Sequence, residues 1–281
     1  MDSQILDQLN NMHPSLQQII ERKNNNFFLI AGPCFAESAE ICLTVAEHVK
    51  KICDQLNINY IFKASYRKAN RTKIDSFASY GDLEGLKLIK QVGQQLNIPT
   101  TTDIHKDEDA ELASEFVDIL QIPAFLCRQT SLLIAAARTQ KIVTIKKGQF
   151  MSPEAMKFAV DKVQKSGNPN AWLIERGTSF GYQDLVVDYR GIPTMQKFHV
   201  PVIMDCTHSL QQPNQMEGVT GGRPDLIPTI AKAAIAVGTD GLFIETHPDP
   251  SKAVSDGANM LPLHEMEALL NQLVKIKAAL N

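Results

Sequence analysis

Eight short apolar runs separated by longer amphipathic stretches constrain the fold of this chain more than any other feature. They cover residues 27–31, 60–64, 99–103, 119–122, 143–146, 172–176, 202–205 and 241–245. They are four or five residues long, rich in Ile, Val, Phe or Leu, and do not strictly alternate. Such runs suit parallel strands buried on both faces. Between them, residues 38–56, 82–96, 106–116, 128–139, 153–165 and 225–237 read as amphipathic helices. Ser152-Pro153-Glu154 reads as an N-cap followed by Pro at the first helical position, and Gly93 and Gly238 read as C-caps. Strand and helix alternating in this way predict an α/β chain built as a single (β/α)8 TIM barrel. A doubly wound open sheet is the structural alternative. A length of 281 residues is ordinary for one such barrel. No linker divides the chain. Residues 27–281 are expected to form the barrel. Residues 1–26 form an N-terminal extension that packs across its opposite end or in an oligomer contact. The longest irregular stretches, 177–198 and 209–224, are expected as loops on the catalytic face.

Charge and cysteine usage narrow the possible partners. The formal net charge is −3, which gives no reason to expect nucleic acid or an anionic membrane as a partner. No apolar run approaches a membrane span, and the N-terminus lacks the basic start and apolar centre of a signal peptide. The five cysteines (Cys34, Cys42, Cys53, Cys127 and Cys206) are odd in number, widely spaced and without a CxxC pair. That usage predicts no disulfide framework and a reducing cytoplasm.

The polar residues that interrupt the apolar runs mark the site. Lys63, Asp103, Lys146, Arg176 and Glu245 fall at strand ends, and Cys34 and His208 lie three residues beyond the first and seventh runs. A barrel brings the C-terminal ends of all its strands to one mouth, so these residues should converge. Lys63, Lys68, Arg71, Lys146 and Arg176 around one mouth would repel one another without anions. Phosphorylated substrates would account for them, since Lys and Arg hold phosphate through charge-assisted hydrogen bonds. The plainer alternative is surface charge or snorkelling side chains. Cys34, His208, Glu245 and Asp256 make a plausible ligand set for zinc, ferrous iron or manganese. Against that, Cys34 alone reads as a small buried hydrophobe, and His208 alone reads as a core or loop histidine before it reads as a ligand, while His247 competes for the ligand role. Asn70, Thr72, Gln121 and Gln149 are polar groups near the same mouth, suited to sugar hydroxyls or a carboxylate. Thr220-Gly221-Gly222-Arg223 is a weaker candidate for a phosphate-binding turn.

The run Lys63-Ala64-Ser65-Tyr66-Arg67-Lys68-Ala69-Asn70-Arg71-Thr72 resembles the KxSxxKANR(S/T) signature of the 3-deoxy-D-manno-octulosonate 8-phosphate synthase family. Thr101-Thr102-Asp103-Ile104-His105, Gln121 to Thr130, Lys146 to Phe150, Glu175-Arg176-Gly177, Phe180-Gly181-Tyr182, Thr207-His208-Ser209 and Glu245 to Pro250 resemble its other blocks, in the family's order. The resemblance implies a barrel that assembles as a homotetramer. It also implies condensation of phosphoenolpyruvate with D-arabinose 5-phosphate and water, for the inner core of lipopolysaccharide. By the same resemblance, Lys63, Lys68, Lys146, Gln149 and Arg176 hold phosphoenolpyruvate, with Ala124 beside it through its backbone. Asn70, Arg71 and Thr72 contact arabinose 5-phosphate, and Asp103 and Gln121 complete the expected substrate-binding set. Lys63, Lys146, His208 and Asp256 are the expected catalytic groups. Cys34, where another branch of the family carries Asn, implies the metal-dependent branch, with one divalent ion per subunit (iron, zinc or manganese) held by Cys34, His208, Glu245 and Asp256. Three rivals stay open. They are a synthase for another aldose phosphate, a barrel that only binds phosphosugars, and a Schiff-base aldolase using Lys63 or Lys146.

Overall fold

A computed structural model of the protein describes residues 12–24, 26–69, 78–213 and 221–280. All eight expected strands form: β1 Phe28–Gly32, β2 Tyr60–Lys63, β3 Thr100–Asp103, β4 Ile119–Ile122, β5 Ile142–Lys146, β6 Ala171–Glu175, β7 Val202–Asp205 and β8 Gly241–His247. They pair in parallel in chain order, and β8 returns to β1, with Phe28 opposite Gly241 and Gly32 opposite Glu245. That last pairing closes the barrel and removes the open-sheet alternative. The helices α1 Ala39–Leu56, α2 Asp82–Leu96, α3 Asp107–Ser114, α4 Thr130–Arg138, α5 Lys157–Lys165, α6 Gly191–Gln196, α7 Ile227–Ala236 and α8 Met266–Ala278 follow the strands in turn.

The strands fail to alternate because both of their faces are buried. Outward-facing Leu29, Phe62, Leu120, Val143, Leu173 and Leu242 pack in one cluster with helix residues such as Val45, Ile89, Leu133 and Leu270. Inward-facing Phe28, Ile30, Ile61, Ile119, Ile142, Trp172, Ile203 and Phe243 form a second cluster that fills the barrel. Leu16 and Ile19, from a short helix Pro14–Ile20, join this inner cluster. Phe28, Ile119 and Ile142 begin their strands, so this helix closes the N-terminal end of the barrel, opposite the mouth.

Two local expectations are corrected. Gly93 is not a C-cap. It lies inside α2, which ends at Asn97 in the left-handed conformation (φ 49°). A Cβ on Gly93 would come within 2.7 Å of the Thr100 methyl, so glycine stands there to let α2 approach β3. The stretch 177–198 is not irregular throughout. It folds as an antiparallel hairpin, Thr178–Phe180 with Asp184–Val186, followed by α6. These elements are too short to leave a periodic signature.

Gly32 matters most for positioning the site. A Cβ there would collide with the Lys63 carbonyl oxygen and lie 2.9 Å from its carbon. Backbone cannot yield as a flexible side chain can, so β1 and β2 would have to part beneath Cys34 and Lys63. Gly32→Ala is expected to destabilise the fold by about 3 kcal/mol, the upper end for overpacking. An unchanged denaturant midpoint would contradict this.

Candidate active site

The strand-end residues do converge at the C-terminal mouth. Lys63, the last residue of β2, is 2% exposed and donates to Glu245 Oε1 on β8 at 2.9 Å. It also donates to Ser65 Oγ at 3.1 Å, and Lys68 donates to the same oxygen at 3.1 Å. Ser65 sends its one hydroxyl hydrogen to Asp103 Oδ1 at the end of β3. Asp103 also pairs with His105 at 3.0 Å. On the other side of the mouth, Lys146 at the end of β5 donates to Asp205 Oδ2 at 2.6 Å, and His208 Nδ1 lies 2.8 Å from that same oxygen. The Phe243 ring underlies both lysines, 5.5 Å from Lys63 Nζ and 4.0 Å from Lys146 Nζ. An aromatic face in that position attracts ammonium groups and keeps water from beneath them.

The protein supplies its own counter-charges. Lys63, Lys68, Lys146 and Arg176 are balanced by Asp103, Asp205, Glu245 and Asp256, so the expected repulsion among the cations is answered within the chain. Burial pushes the Glu245 carboxyl up, but Lys63, His208 and Lys68 outweigh it and hold its pKa well below the usual range. Burial acts likewise on Asp205, and His208 and Lys146 bring it far down. For Lys63 burial is the largest single effect and lowers the pKa, but Glu245, Asp103 and Cys34 together outweigh it and the pKa ends raised, whereas for Lys146 burial outweighs Asp205 and the pKa falls.

Several buried side-chain atoms among the described residues lack a hydrogen-bond partner, and two of them at this mouth carry charge. Arg176, just beyond β6 and 5% exposed, donates through Nη2 to Gln211 Oε1 at 2.6 Å, but its Nη1 has no acceptor. Glu245 Oε2 has no donor. Buried polar groups are rarely left so. The guanidinium calls for an anion and the carboxylate oxygen for a cation.

Cys34, Glu245 and Asp256 meet, with one ligand atom from each lying within 4.8 Å of the others. The thiol donates to Asp256 Oδ2 at 3.3 Å, and His208 Nε2 stands 3.6 Å from Glu245 Oε2. Leu261–Pro262 pairs with the end of β8 and so returns the loop that carries Asp256 to the mouth. Burial, with Glu245 and Asp256 alongside, pushes the Cys34 thiol far up. A cation in the cluster would oppose both effects and favour the thiolate. The donor set and the orphaned Glu245 oxygen therefore fit a divalent ion. His247 points elsewhere. Its Nδ1 accepts from the Asp249 N–H at 3.0 Å and its Nε2 faces Glu37 at 3.6 Å, so it is not part of the cluster.

Gln121 is buried in β4, opposite Asp103 in the register with β3, and Ala124 is buried in the turn that follows. Gln149 is half-buried after β5. Asn70, Arg71 and Thr72 lie outside the described residues, as does Thr220 of the weaker phosphate-turn candidate. Sequence reasoning did not single out Asp205, Ser65 or Phe243. Asp205 carries the signal that marks the others, a charge ending an apolar strand, Val-Ile-Met-Asp. Buried Lys147 has a structural task. It donates to Gly177 O at 3.2 Å and Thr178 Oγ1 at 3.1 Å and pairs with Glu175, which anchors the loop after β6.

Fold and site together define a (β/α)8-barrel enzyme with a cationic, carboxylate-balanced mouth. The profile of the DAHP synthetase I family matches residues 7–281. Proteins named 2-dehydro-3-deoxyphosphooctonate aldolase are similar over nearly the whole chain. The one from Koribacter versatilis (strain Ellin345) is 49% identical over 263 residues, covering 92% of this chain and 94% of its own length. The one from Dechloromonas aromatica (strain RCB) is 50% identical over 255 residues, covering 90% and 92%. That from Desulfotalea psychrophila (strain LSv54 / DSM 12343) is 47% identical over 266 residues, covering 95% of each. The chain belongs to the DAHP synthetase I family, within its group of 2-dehydro-3-deoxyphosphooctonate aldolases.

Proposed function

We infer that the protein condenses phosphoenolpyruvate with D-arabinose 5-phosphate and water, yielding 3-deoxy-D-manno-octulosonate 8-phosphate and phosphate for the lipopolysaccharide inner core. The observation that carries this reading is the pair of unpartnered buried atoms at one mouth, Arg176 Nη1 and Glu245 Oε2, amid Lys63, Lys68 and Lys146. A site with free capacity for both an anion and a cation suits a phosphorylated carboxylate and a divalent ion.

In this reading Lys63, Lys68, Lys146, Gln149 and Arg176 hold phosphoenolpyruvate by its phosphate and carboxylate, with Ala124 alongside. Fixed cations orient the enol without reorganising as charge moves. C3 of phosphoenolpyruvate bonds to the sugar's aldehyde carbon, and the aldehyde oxygen takes a proton. Water adds to the cationic C2 and gives up one proton, which balances the proton on the aldehyde oxygen. The C2–O bond to phosphate then breaks, and the C2 hydroxyl loses its remaining proton to the departing phosphate to leave the ketone. Asp103, hydrogen-bonded to Ser65, and Gln121 line the same mouth as polar contacts for substrate. Cys34, His208, Glu245 and Asp256 would hold the ion. When bound, it supplies Lewis acidity for the aldehyde or the water. That assignment makes this a metal-dependent member of its group.

The first test is phosphate release from the two substrates, with erythrose 4-phosphate replacing arabinose 5-phosphate as the control. Equal turnover with both sugars would favour a different aldose phosphate, and none with either would leave a binding barrel. Borohydride trapping tests the Schiff-base route. The sugar assignment predicts that Arg71→Ala raises KM for arabinose 5-phosphate about tenfold or more, the loss of one charged hydrogen bond, and leaves KM for phosphoenolpyruvate nearly unchanged. An equal rise in both would mean that the site had collapsed as a whole.

The reading extends to a cytoplasmic homotetramer. Its supports are five free, buried cysteines, which suit a reducing compartment, and the exposed rings of Phe125, Phe150 and Phe158, apolar surface that an assembly would cover. Among the described residues no helix is long and apolar enough to cross a membrane.

A further inference from the structure

Asp205 ends β7 with no exposed surface and with every acceptor direction filled. Its Oδ1 accepts the backbone N–H of Thr207 at 3.1 Å and of His208 at 2.8 Å. Its Oδ2 accepts Lys146 Nζ at 2.6 Å and faces His208 Nδ1 at 2.8 Å. A carboxylate that takes a lysine ammonium and two backbone N–H groups acts only as an acceptor. Lys146 Nζ also lies 3.3 Å from the ring nitrogen that faces this carboxylate, but both carboxylate oxygens are nearer, at 3.1 and 2.8 Å, and this geometry places the N–H at Nδ1. In the neutral ring this leaves the lone pair on Nε2. That lone pair points toward the metal-ligand side of the mouth, where Glu245 Oε2 lies 3.6 Å away without a donor of its own. Two acceptors facing each other at that distance need a cation between them, which is the proton of a charged ring before the ion binds and the divalent ion once it has bound.

We propose that Asp205 is a positioning residue that locks His208 in its Nδ1–H tautomer and so presents Nε2 to the divalent ion, while the same carboxylate holds Lys146 on the substrate side. Asp205 thus ties the metal half of the mouth to the phosphoenolpyruvate half through a single side chain. The proposal rests on the reading of His208 as a metal ligand. It adds a residue that makes no contact with either ligand and acts only through its two neighbours.

Asp205→Asn tests it with little change of shape. The amide oxygen can still accept the two backbone N–H groups. The amide nitrogen would then face Lys146 and His208 Nδ1, donor against donor. Lys146 loses its carboxylate partner and keeps His208 Nδ1, 3.3 Å away, and the imidazole proton moves to Nε2. Outer-sphere partners of metal-bound histidines typically contribute about 10–100-fold to affinity. The expected result is a loss of that size in affinity for Mn²⁺ or Zn²⁺, measured by chelator competition on the metal-stripped full-length protein. A merely structural role would weaken binding in any background. If Asp205 acts through His208, Asp205→Asn causes no further loss of metal affinity in a His208→Ala protein.

The outcomes separate. If His208→Ala leaves metal affinity unchanged, the ligand reading fails and this proposal fails with it. If His208→Ala weakens binding and Asp205→Asn does not, the role of Asp205 alone is overturned. Additive losses in the double variant also overturn it. If Asp205→Asn does not fold, nitrogen NMR of the histidine rings in the metal-stripped wild type still decides. The proposal requires a proton on Nδ1 of His208, and a ring protonated at Nε2 alone refutes it.

Discussion

Lys146→Ala is expected to lose about 100-fold or more in turnover while the barrel stays folded. Lys146 ends β5 with its ammonium 4.0 Å from the Phe243 ring centroid and 2.6 Å from Asp205. In that dry setting its contact with an anionic substrate is a charge-assisted hydrogen bond. Removing one preorganised charge-stabilising donor from an active site raises the barrier by about 2.7–4 kcal/mol, and about 1.4 kcal/mol corresponds to tenfold in rate. The fold should survive because Asp205 keeps the backbone N–H groups of Thr207 and His208 and the His208 ring. Steady-state kinetics beside a circular dichroism melt would separate the two effects. Near-normal turnover would remove Lys146 from the substrate site.

Metal removal should have a comparable effect. Chelator is expected to abolish activity, and added manganese, ferrous iron or zinc to restore part of it. The cluster behind this expectation is local in the closed barrel. Cys34 follows β1, Glu245 lies near the end of β8, and Asp256 comes from the loop after β8, with His208 beside them after β7. Were all four residues to hold the ion, water or substrate could reach it only if coordination exceeded four. Cys34→Ser replaces a potential thiolate with a neutral hydroxyl and should weaken metal binding, read by chelator competition. Full turnover in stripped protein would leave Cys34 a packing residue and sink the metal assignment.

Much of this site is legible in the order of residues along the chain. A charged residue that ends an apolar strand cannot stay in the sheet interior, and a barrel sends every such residue to one mouth. Lys63, Asp103, Lys146 and Glu245 follow from that rule. Asp205 obeys it too, although none of the blocks that carry the family resemblance includes it. The sugar contacts Asn70, Arg71 and Thr72 rest on resemblance alone, since they lie outside the described residues.

By itself, the sequence determined the eight strands, their two-sided burial and the chemistry of the residues at their ends. All of these are properties of local composition and spacing. Tertiary structure alone decided which of those residues meet. Lys63 pairs with Glu245 across 182 positions because β8 closes onto β1 with Gly32 opposite Glu245. Ser65 receives two lysines because the chain turns as it leaves β2. His247 lies two residues from Glu245 yet turns to Glu37, because the Asp249 N–H claims its Nδ1. Partner choice depends on register, closure and competing hydrogen bonds, which are set by the assembled fold and carry no local signature in the chain.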